Sequence, residues 1–199
     1  MAEDHVDKHR RRFLTAVTTG VGAVGGIAAA VPFVVSMTPS ARARAEGAPV
    51  RLEIGKLEAG QMLREQWRGQ PIFVVNRTKA MLDSLDKDTD LLLDPKSTAD
   101  QQPSYADNKY RSIKPEFLVV IGVCTHLGCV PVQKFTMGAD SGMGADWPGG
   151  FFCPCHGSKY DLSGRVFKNV PAPLNLQIPP YRFETDTTVV VGENPKGAA

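Results

Sequence analysis

Two short segments hold all four cysteines of the chain, and each segment also contains a histidine. Residues 124–131 have the sequence C-T-H-L-G-C-V-P, and residues 153–160 have the sequence C-P-C-H-G-S-K-Y. The chain's other histidines, His5 and His9, lie near the N-terminus. Thiolates and imidazoles are strong metal ligands, so a fold that brings these two segments together creates a metal site.

Size and composition indicate one ordinary domain with an appendage. The chain has 199 residues, of which 42% are hydrophobic and 22% charged, close to the globular average. The formal net charge is only +2, so we expect no nucleic-acid partner, which would require a basic patch. The clustering of the cysteines differs from the scattered pattern of small disulfide-stapled proteins and favours a site.

An uncharged segment, residues 13–37, precedes the rest of the chain. Its 25 residues would span about 38 Å as a helix, enough to cross a hydrocarbon core of roughly 30 Å. The preceding run H-R-R-R-F-L is similar to a twin-arginine export signal, with Arg10 and Arg11 as the pair. We therefore expect a cytoplasmic N-terminus over residues 1–12 and a single transmembrane helix over residues 13–37.

These residues leave open whether the segment is cleaved or retained. Ala41-Arg42-Ala43 has the small residues of a signal-peptide cleavage site. However, the uncharged segment is longer than the usual signal core of about 7–15 residues. Gly22 and Gly26 would also let another helix approach closely, which favours a retained anchor. Residues 38–49 are rich in Pro, Ala and Gly and predict a flexible hinge linker.

The remaining residues, 50–199, predict a mainly β head of about 150 residues. A short helix is expected near residues 78–85, followed by a polar loop to residue 107. Residues 117–123 form a continuous apolar run that predicts a buried strand directly before Cys124. The predicted strands are residues 50–54, 72–75, 117–123, 174–178, 181–184 and 187–191.

Spacing alone leaves three kinds of metal site open. A structural zinc ion accepts mixed sulfur and nitrogen ligands from both segments. An iron–sulfur cluster held by four cysteines is a second possibility, although it leaves both nearby histidines unexplained. The third is a 2Fe–2S cluster held by Cys124, His126, Cys153 and His156, with Cys129 and Cys155 left for a disulfide.

Both segments resemble the paired cluster-binding boxes of Rieske proteins, without substitution. Pro171-Ala172-Pro173 resembles the proline loop that covers the cluster in this family, and the sequence S-M-T-P-S-A at residues 36–41 is similar to proteobacterial bc1 members. One departure is Val170, where many members carry glycine. The resemblance implies a Rieske-type antiparallel β-sandwich head with a cluster-binding subdomain at about residues 122–175.

The resemblance also implies a role for each site residue. Cys124 and Cys153 bind one iron of a 2Fe–2S cluster, and His126 and His156 bind the other. Cys129 and Cys155 form a disulfide. Ser158 and Tyr160 donate hydrogen bonds to cluster sulfurs, Tyr160 to that of Cys124. His156 is the residue that accepts a hydrogen bond from quinol.

The implied function is that of the iron–sulfur subunit of a bacterial cytochrome bc1 complex, a quinol–cytochrome c reductase. Its partners would be cytochrome b, cytochrome c1 and ubiquinol, in a complex expected to be dimeric. The anchor would be retained in the inner membrane with the head on the periplasmic side. The alternative within the fold is the Rieske subunit of a periplasmic oxidase similar to arsenite oxidase. A soluble Rieske ferredoxin would lack the uncharged segment.

Overall fold

The computed structural model describes residues 7–87 and 89–197, which fall into two compact units. The first unit is Met1–Ala45 and the second is Glu46–Ala199. The first six residues of the predicted cytoplasmic N-terminus lie outside the described residues, as do the last two of the head. Each unit is described by itself below.

The first unit contains the predicted apolar helix. Helix α1, Lys8–Ser36, begins where the Asp7 carboxylate accepts hydrogen bonds from the backbone N–H groups of His9 and Arg10. Its large apolar side chains are exposed. Among the described residues it belongs to the one helical stretch long and apolar enough to cross a membrane. A six-residue helix, α2, Ala41–Glu46, lies within the predicted linker and was not anticipated from the sequence.

The head consists of short antiparallel strands in three sheets, which confirms the mainly β prediction. The first sheet has the order β1-β9-β8, with β1 Val50–Glu53, β8 Tyr181–Phe183 and β9 Thr188–Val191. The second has the order β2-β3-β4, with β2 Met62–Trp67, β3 Gln70–Asn76 and β4 Phe117–Ile121. The third has the order β5-β6-β7, with β5 Val132–Lys134, β6 Gly150–Phe152 and β7 Lys159–Tyr160. Helix α3, Lys79–Ser84, follows β3 at the position expected for a short helix.

One predicted strand is wrong, and several were missed. Residues 174–178 form no strand, because their N–H groups bond to separate segments: Leu176 to the Gly164 carbonyl and Ile178 to the Gln101 carbonyl. Strand β2 was missed because its middle carries exposed polar residues rather than an apolar run. Strands β5, β6 and β7 have two or three residues each and leave no periodic pattern in the sequence.

The core lies around β3 and β4 and extends to the segment that contains Cys153. The central side chains of β3 (residues 72–75) and the last four of β4 are buried, and the two strands pair with Val74 opposite Val119. Phe73 of β3 stacks on Phe151 of β6, with ring centroids 5.9 Å apart. Gly122 is required after β4, because a Cβ there would lie 2.3 Å from the Phe73 ring. Strand β4 therefore delivers Cys124, and β6 delivers Cys153, from one packed core.

Candidate metal centre

The two cysteine–histidine segments fold into loops with the same backbone hydrogen bonds. In the first loop, the Cys124 N–H donates to the Cys129 carbonyl and the Gly128 N–H donates to the Cys124 carbonyl. In the second, the Cys153 N–H donates to the Ser158 carbonyl and the Gly157 N–H to the Cys153 carbonyl. Both glycines have a positive φ, 84° and 79°, which a side chain would disfavour. The cysteine–glycine spacing that the two segments share therefore produces two equivalent loops.

A disulfide joins these loops. The Sγ atoms of Cys129 and Cys155 are bonded, which confirms the predicted pair. Three sulfurs, those of Cys129, Cys153 and Cys155, lie within 4.8 Å of one another. Two of the three belong to the disulfide, so only Cys153 among them offers a thiolate. The bridge joins the two loops covalently.

The other two cysteines, Cys124 and Cys153, are free and buried. Burial raises the pKa of the Cys124 thiol, but hydrogen bonds from the Tyr160 hydroxyl and the His126 backbone N–H outweigh it and bring the pKa below its usual value. The pKa of Cys153 is raised, first by burial, although backbone N–H groups act against it and Cys124 adds to it. Each thiol is among the groups that shift the pKa of the other, so the two side chains lie close together.

The two histidines of the cysteine–histidine loops lie next to each other. The His126 and His156 rings have centroids 4.8 Å apart and are nearly perpendicular. His126 is half-buried, whereas His156 is exposed. The Nδ1 atom of His126 is buried and has no hydrogen-bond partner within the described residues. A buried ring nitrogen without a partner is costly unless it binds something, so this donor set of two thiols and two imidazoles fits a metal centre.

Tyr160 lies behind the free thiols. Its hydroxyl donates to Cys124 Sγ at 3.2 Å and accepts from the Thr125 backbone N–H at 3.1 Å. The Thr125 hydroxyl lies 3.2 Å from that of Tyr160 and donates to the Leu174 carbonyl at 2.7 Å. Burial and the bond to Cys124 raise the pKa of Tyr160, so this phenol stays protonated and is a donor at neutral pH.

Ser158 connects the second loop to the proline loop. Its side chain is buried and helps to lower the pKa of Cys124, and its Oγ accepts from the Ala172 backbone N–H at 3.1 Å. Together with the bond from Thr125 to Leu174, this attaches the Pro171–Pro173 segment to both cysteine–histidine loops. Val170, the departure from the family pattern, is half-buried and packs at the edge of the core.

All eight predicted site residues lie at this end of the head. The sequence analysis missed Thr125, whose only signal was its position between Cys124 and His126. Three apolar side chains of these loops and of the proline segment are exposed: Leu127 is 71% exposed, and Val130 and Leu174 are each 44% exposed. These three side chains and the exposed His156 ring form what we call the tip surface.

The comparisons with known proteins agree with this geometry. Residues 50–180 match the Rieske [2Fe-2S] domain, and residues 1–40 match the TAT signal of the ubiquinol–cytochrome c reductase Fe-S subunit. The chain is 56% identical to the ubiquinol–cytochrome c reductase iron–sulfur subunit of Allochromatium vinosum, over all of this chain and 95% of that protein. It is 43% identical to the subunit of the same name from Blastochloris viridis, over 96% and 97% of the two chains. Among solved structures, it is similar to a chain of a hyperthermophilic respiratory Complex III, with 26% identity, 88% and 98% coverage and a TM-score of 0.47.

Proposed function

Because this chain belongs to the family of Rieske iron–sulfur subunits of ubiquinol–cytochrome c reductase, we propose that it takes one electron and one proton from ubiquinol and passes the electron to cytochrome c1. The activity belongs to the whole complex, of which this chain is one subunit. The periplasmic oxidase alternative is not favoured, since the relatives at 56% and 43% identity both carry the reductase name along nearly their whole length.

We propose that Cys124 and Cys153 bind one iron of a 2Fe–2S cluster and that His126 and His156 bind the other. Two observations support this: the two free, buried thiols lie close enough to shift each other's pKa, and the buried His126 Nδ1 lacks a partner among the described residues. When bound, the cluster supplies one-electron chemistry, and two neutral imidazoles place its potential above that of a four-thiolate site. The Cys129–Cys155 disulfide keeps the two ligand pairs in register.

The exposure of His156 is the observation that carries the assignment to quinol. His126 is half-buried, but the His156 ring is open to the surroundings at the tip surface. An apolar rim around a single exposed imidazole suits docking onto a membrane protein that holds an apolar quinol. His156 is therefore the residue that accepts a hydrogen bond from the quinol hydroxyl.

His156 also receives the proton. A ligating imidazole holds its metal through one ring nitrogen and leaves the other free to exchange a proton. The free nitrogen of His156, when deprotonated, accepts the quinol hydrogen bond and then the proton. The hydroxyl of Tyr160 favours added negative charge at Cys124 because it donates a hydrogen bond to the sulfur, and the side chain of Ser158 acts in the same direction. Electron and proton thus leave the quinol at one site.

The N-terminal unit anchors the head. Helix α1 is retained as a single membrane span in the inner membrane, and export through the twin-arginine route places the head in the periplasm. Residues 38–49, including α2, form the tether through which the head docks first on cytochrome b and then on cytochrome c1. The complex is a dimer. The same assignment divides the chain after residues 12, 37 and 49 into the cytoplasmic N-terminus, the membrane span, the tether and the head.

A redox titration followed by electron paramagnetic resonance tests the proposal on the full-length chain in its membrane complex. We expect a rhombic 2Fe–2S signal with a clearly positive midpoint potential that falls as pH rises, because imidazole nitrogens release protons on oxidation. A low potential that is independent of pH near neutrality would contradict quinol oxidation. Stoichiometric zinc without a signal would contradict the ligand assignment.

A further inference from the structure

Two arginines are buried in the head without a carboxylate partner. Arg111 is 0% exposed and Arg77 is 2% exposed. Neither forms an ion pair with any described residue, and every hydrogen bond from their guanidinium groups goes to a neutral oxygen. A buried charge without a partner is costly. Its retention here calls for a physical role.

Both guanidinium groups contact the turn that follows Tyr160. Arg77 donates to the Leu162 carbonyl and to Ser163 Oγ, each at 3.0 Å. Arg111 donates to the carbonyls of Ser163 and Gly164 at 3.1 and 3.3 Å. This turn, residues 161–165, directly continues β7, whose Tyr160 hydroxyl bonds to Cys124 Sγ. Both charges therefore contact the segment that directly follows the tyrosine bonded to Cys124, a proposed cluster ligand.

The charges in this region do not cancel. The buried charged side chains in the described part of the chain are Arg77, Arg111, Arg165 and Asp161. Asp161 pairs with Arg165 at 2.7 Å, so three arginines stand against one aspartate, although Asp161 also acts on Arg77 and Arg111, and Glu116 acts on Arg77. Asp94 also acts on Arg111, but it is only partly buried and its carboxylate bonds to Thr98 and Ala99.

Both arginines remain charged at neutral pH. Burial lowers the pKa of each to about 10, and the field of Asp161 opposes this lowering. A charge in the protein interior is screened far less by salt than a charge in water. The field of these groups therefore persists at any ionic strength that the protein meets.

We propose that Arg111 and Arg77 raise the reduction potential of the metal centre by supplying uncompensated buried positive charge, a role distinct from ligation and from hydrogen bonding to its sulfurs. Reduction adds one negative charge at the centre, and a nearby positive field favours it. Arg111 and Val120 both lie against Gly164: a Cβ placed on this glycine would be 3.3 Å from Arg111 Nη1 and 3.5 Å from Val120 Cγ2. Val120 precedes Cys124 by four residues, about 13 Å of extended chain. For an assumed separation of about 13 Å and an effective dielectric constant near 20, one charge changes the equilibrium constant for reduction roughly five- to tenfold, or about 40–60 mV.

Three variants separate the charge from the shape of the side chain. Arg111→Gln removes the charge, whereas Arg111→Lys keeps it and loses the planar fork. Gln102→Glu keeps Arg111 and the 3.1 Å bond from Arg111 Nη2, places a negative charge beside the guanidinium, and loses the bond from Gln102 Nε2 to the Ser97 carbonyl. Lys109→Gln is the matched control. Lys109 lies two residues before Arg111, its side chain is 48% exposed and it pairs with Asp86, so this variant removes one positive charge at the surface.

The measurement is the midpoint potential of the cluster-loaded, full-length chain in membranes, with the resonance spectrum recorded beside it. We expect Arg111→Gln and Gln102→Glu each to lower the potential by about 40–60 mV. Arg111→Lys should stay close to the parent, and all spectra should keep the parent line shape. The shift from Lys109→Gln should be small and should vanish in about 1 M salt.

Equal shifts from Arg111→Lys and Arg111→Gln, with no shift from Gln102→Glu, would overturn the inference and leave the arginines a purely structural role. If the Arg111 variants do not load a cluster, Gln102→Glu decides alone, since it keeps the guanidinium and its hydrogen bond. The inference rests on the proposed cluster function, and the two fail differently. A low potential independent of pH in the parent chain contradicts the function, whereas a normal parent with unshifted variants contradicts only the role of the arginines.

Discussion

The hydroxyl of Tyr160 donates a hydrogen bond to Cys124 Sγ over 3.2 Å, across two loops that are separated in the sequence. The same oxygen accepts from the Thr125 N–H, which fixes the direction of the O–H group. Tyr160 is completely buried, so no water competes for this bond. Such a bond strengthens as the sulfur gains negative charge, and it therefore favours the reduced form of a metal centre.

Tyr160→Phe should lower the midpoint potential and slow quinol oxidation. The lost bond to a charged sulfur corresponds to about 1–2 kcal/mol, or roughly 40–90 mV for one electron. Tyr105→Phe is the control, because the Tyr105 hydroxyl bonds to Asn194 and to the Tyr181 N–H rather than to the cysteine loops. Redox titration of both variants checks the expectation. An unchanged potential in Tyr160→Phe would show that the bond has no electronic role.

Replacing both cysteines of the Cys129–Cys155 disulfide with serine should destabilise the head and loosen the metal centre. The bridge closes a loop with a sequence separation of 26 residues, and a loop of this size corresponds to about 3–4 kcal/mol of stability in the chain-entropy model. Thermal unfolding of the loaded chain measures the first effect, and the yield of the iron–sulfur resonance measures the second. A variant with the parent's unfolding temperature and full cluster content would contradict this.

The parts of the site that were predictable from the sequence are those encoded by short local patterns. The cysteine–histidine segments follow strand β4 and strand β6 directly, and their ligand types and spacing are visible in the sequence. The disulfide partner choice came from the family resemblance and is confirmed. Helix α3 was predictable because Thr78 caps it, its hydroxyl accepting from the Met81 N–H at 3.2 Å.

Other features depend on tertiary contacts that no local pattern encodes. Residues 174–178 have the composition of a strand, but the backbone N–H groups of Leu176 and Ile178 bond to separate segments. The burial of Arg77 could not be foreseen, because its five hydrogen-bond acceptors come from residues 110–115 and 162–163, far along the chain. Long-range packing of this kind decides whether an arginine is a surface or an interior residue.

Asp161→Asn should strongly destabilise the head. The side chains of Asp161 and Arg165 are only 1% and 3% exposed and form an ion pair. The Asp161 carboxylate also accepts hydrogen bonds from the Ser163 and Arg165 backbone N–H groups. Removing the negative charge leaves a third buried guanidinium unpaired, at a cost of about 3–5 kcal/mol. Chemical denaturation of the loaded chain measures this loss.

The exposed pair Lys79–Asp83 provides the control for that variant. Both side chains are mostly in water, 88% and 58% exposed, at i,i+4 spacing on α3. Asp83→Asn should therefore change the free energy of unfolding by no more than about 0.5 kcal/mol. Equal losses from the two substitutions would mean that burial does not decide the strength of the Asp161–Arg165 pair.

Proline substitution in the tether should slow turnover without moving the potential. Helix α2 lies in the segment between the apolar helix and the head, and Ala45→Pro removes a backbone donor and clashes with the preceding turn. If the head must move between two docking sites, a tether with altered stiffness delays each transfer, while the metal centre in residues 122–175 is untouched. Ala45→Ser is the matched control, because serine keeps the backbone N–H and the freedom of φ. Quinol–cytochrome c reductase activity in membranes, measured beside the midpoint potential, should fall severalfold only for the proline variant. Parent-like turnover in Ala45→Pro would mean that the conformation of this segment does not limit electron delivery.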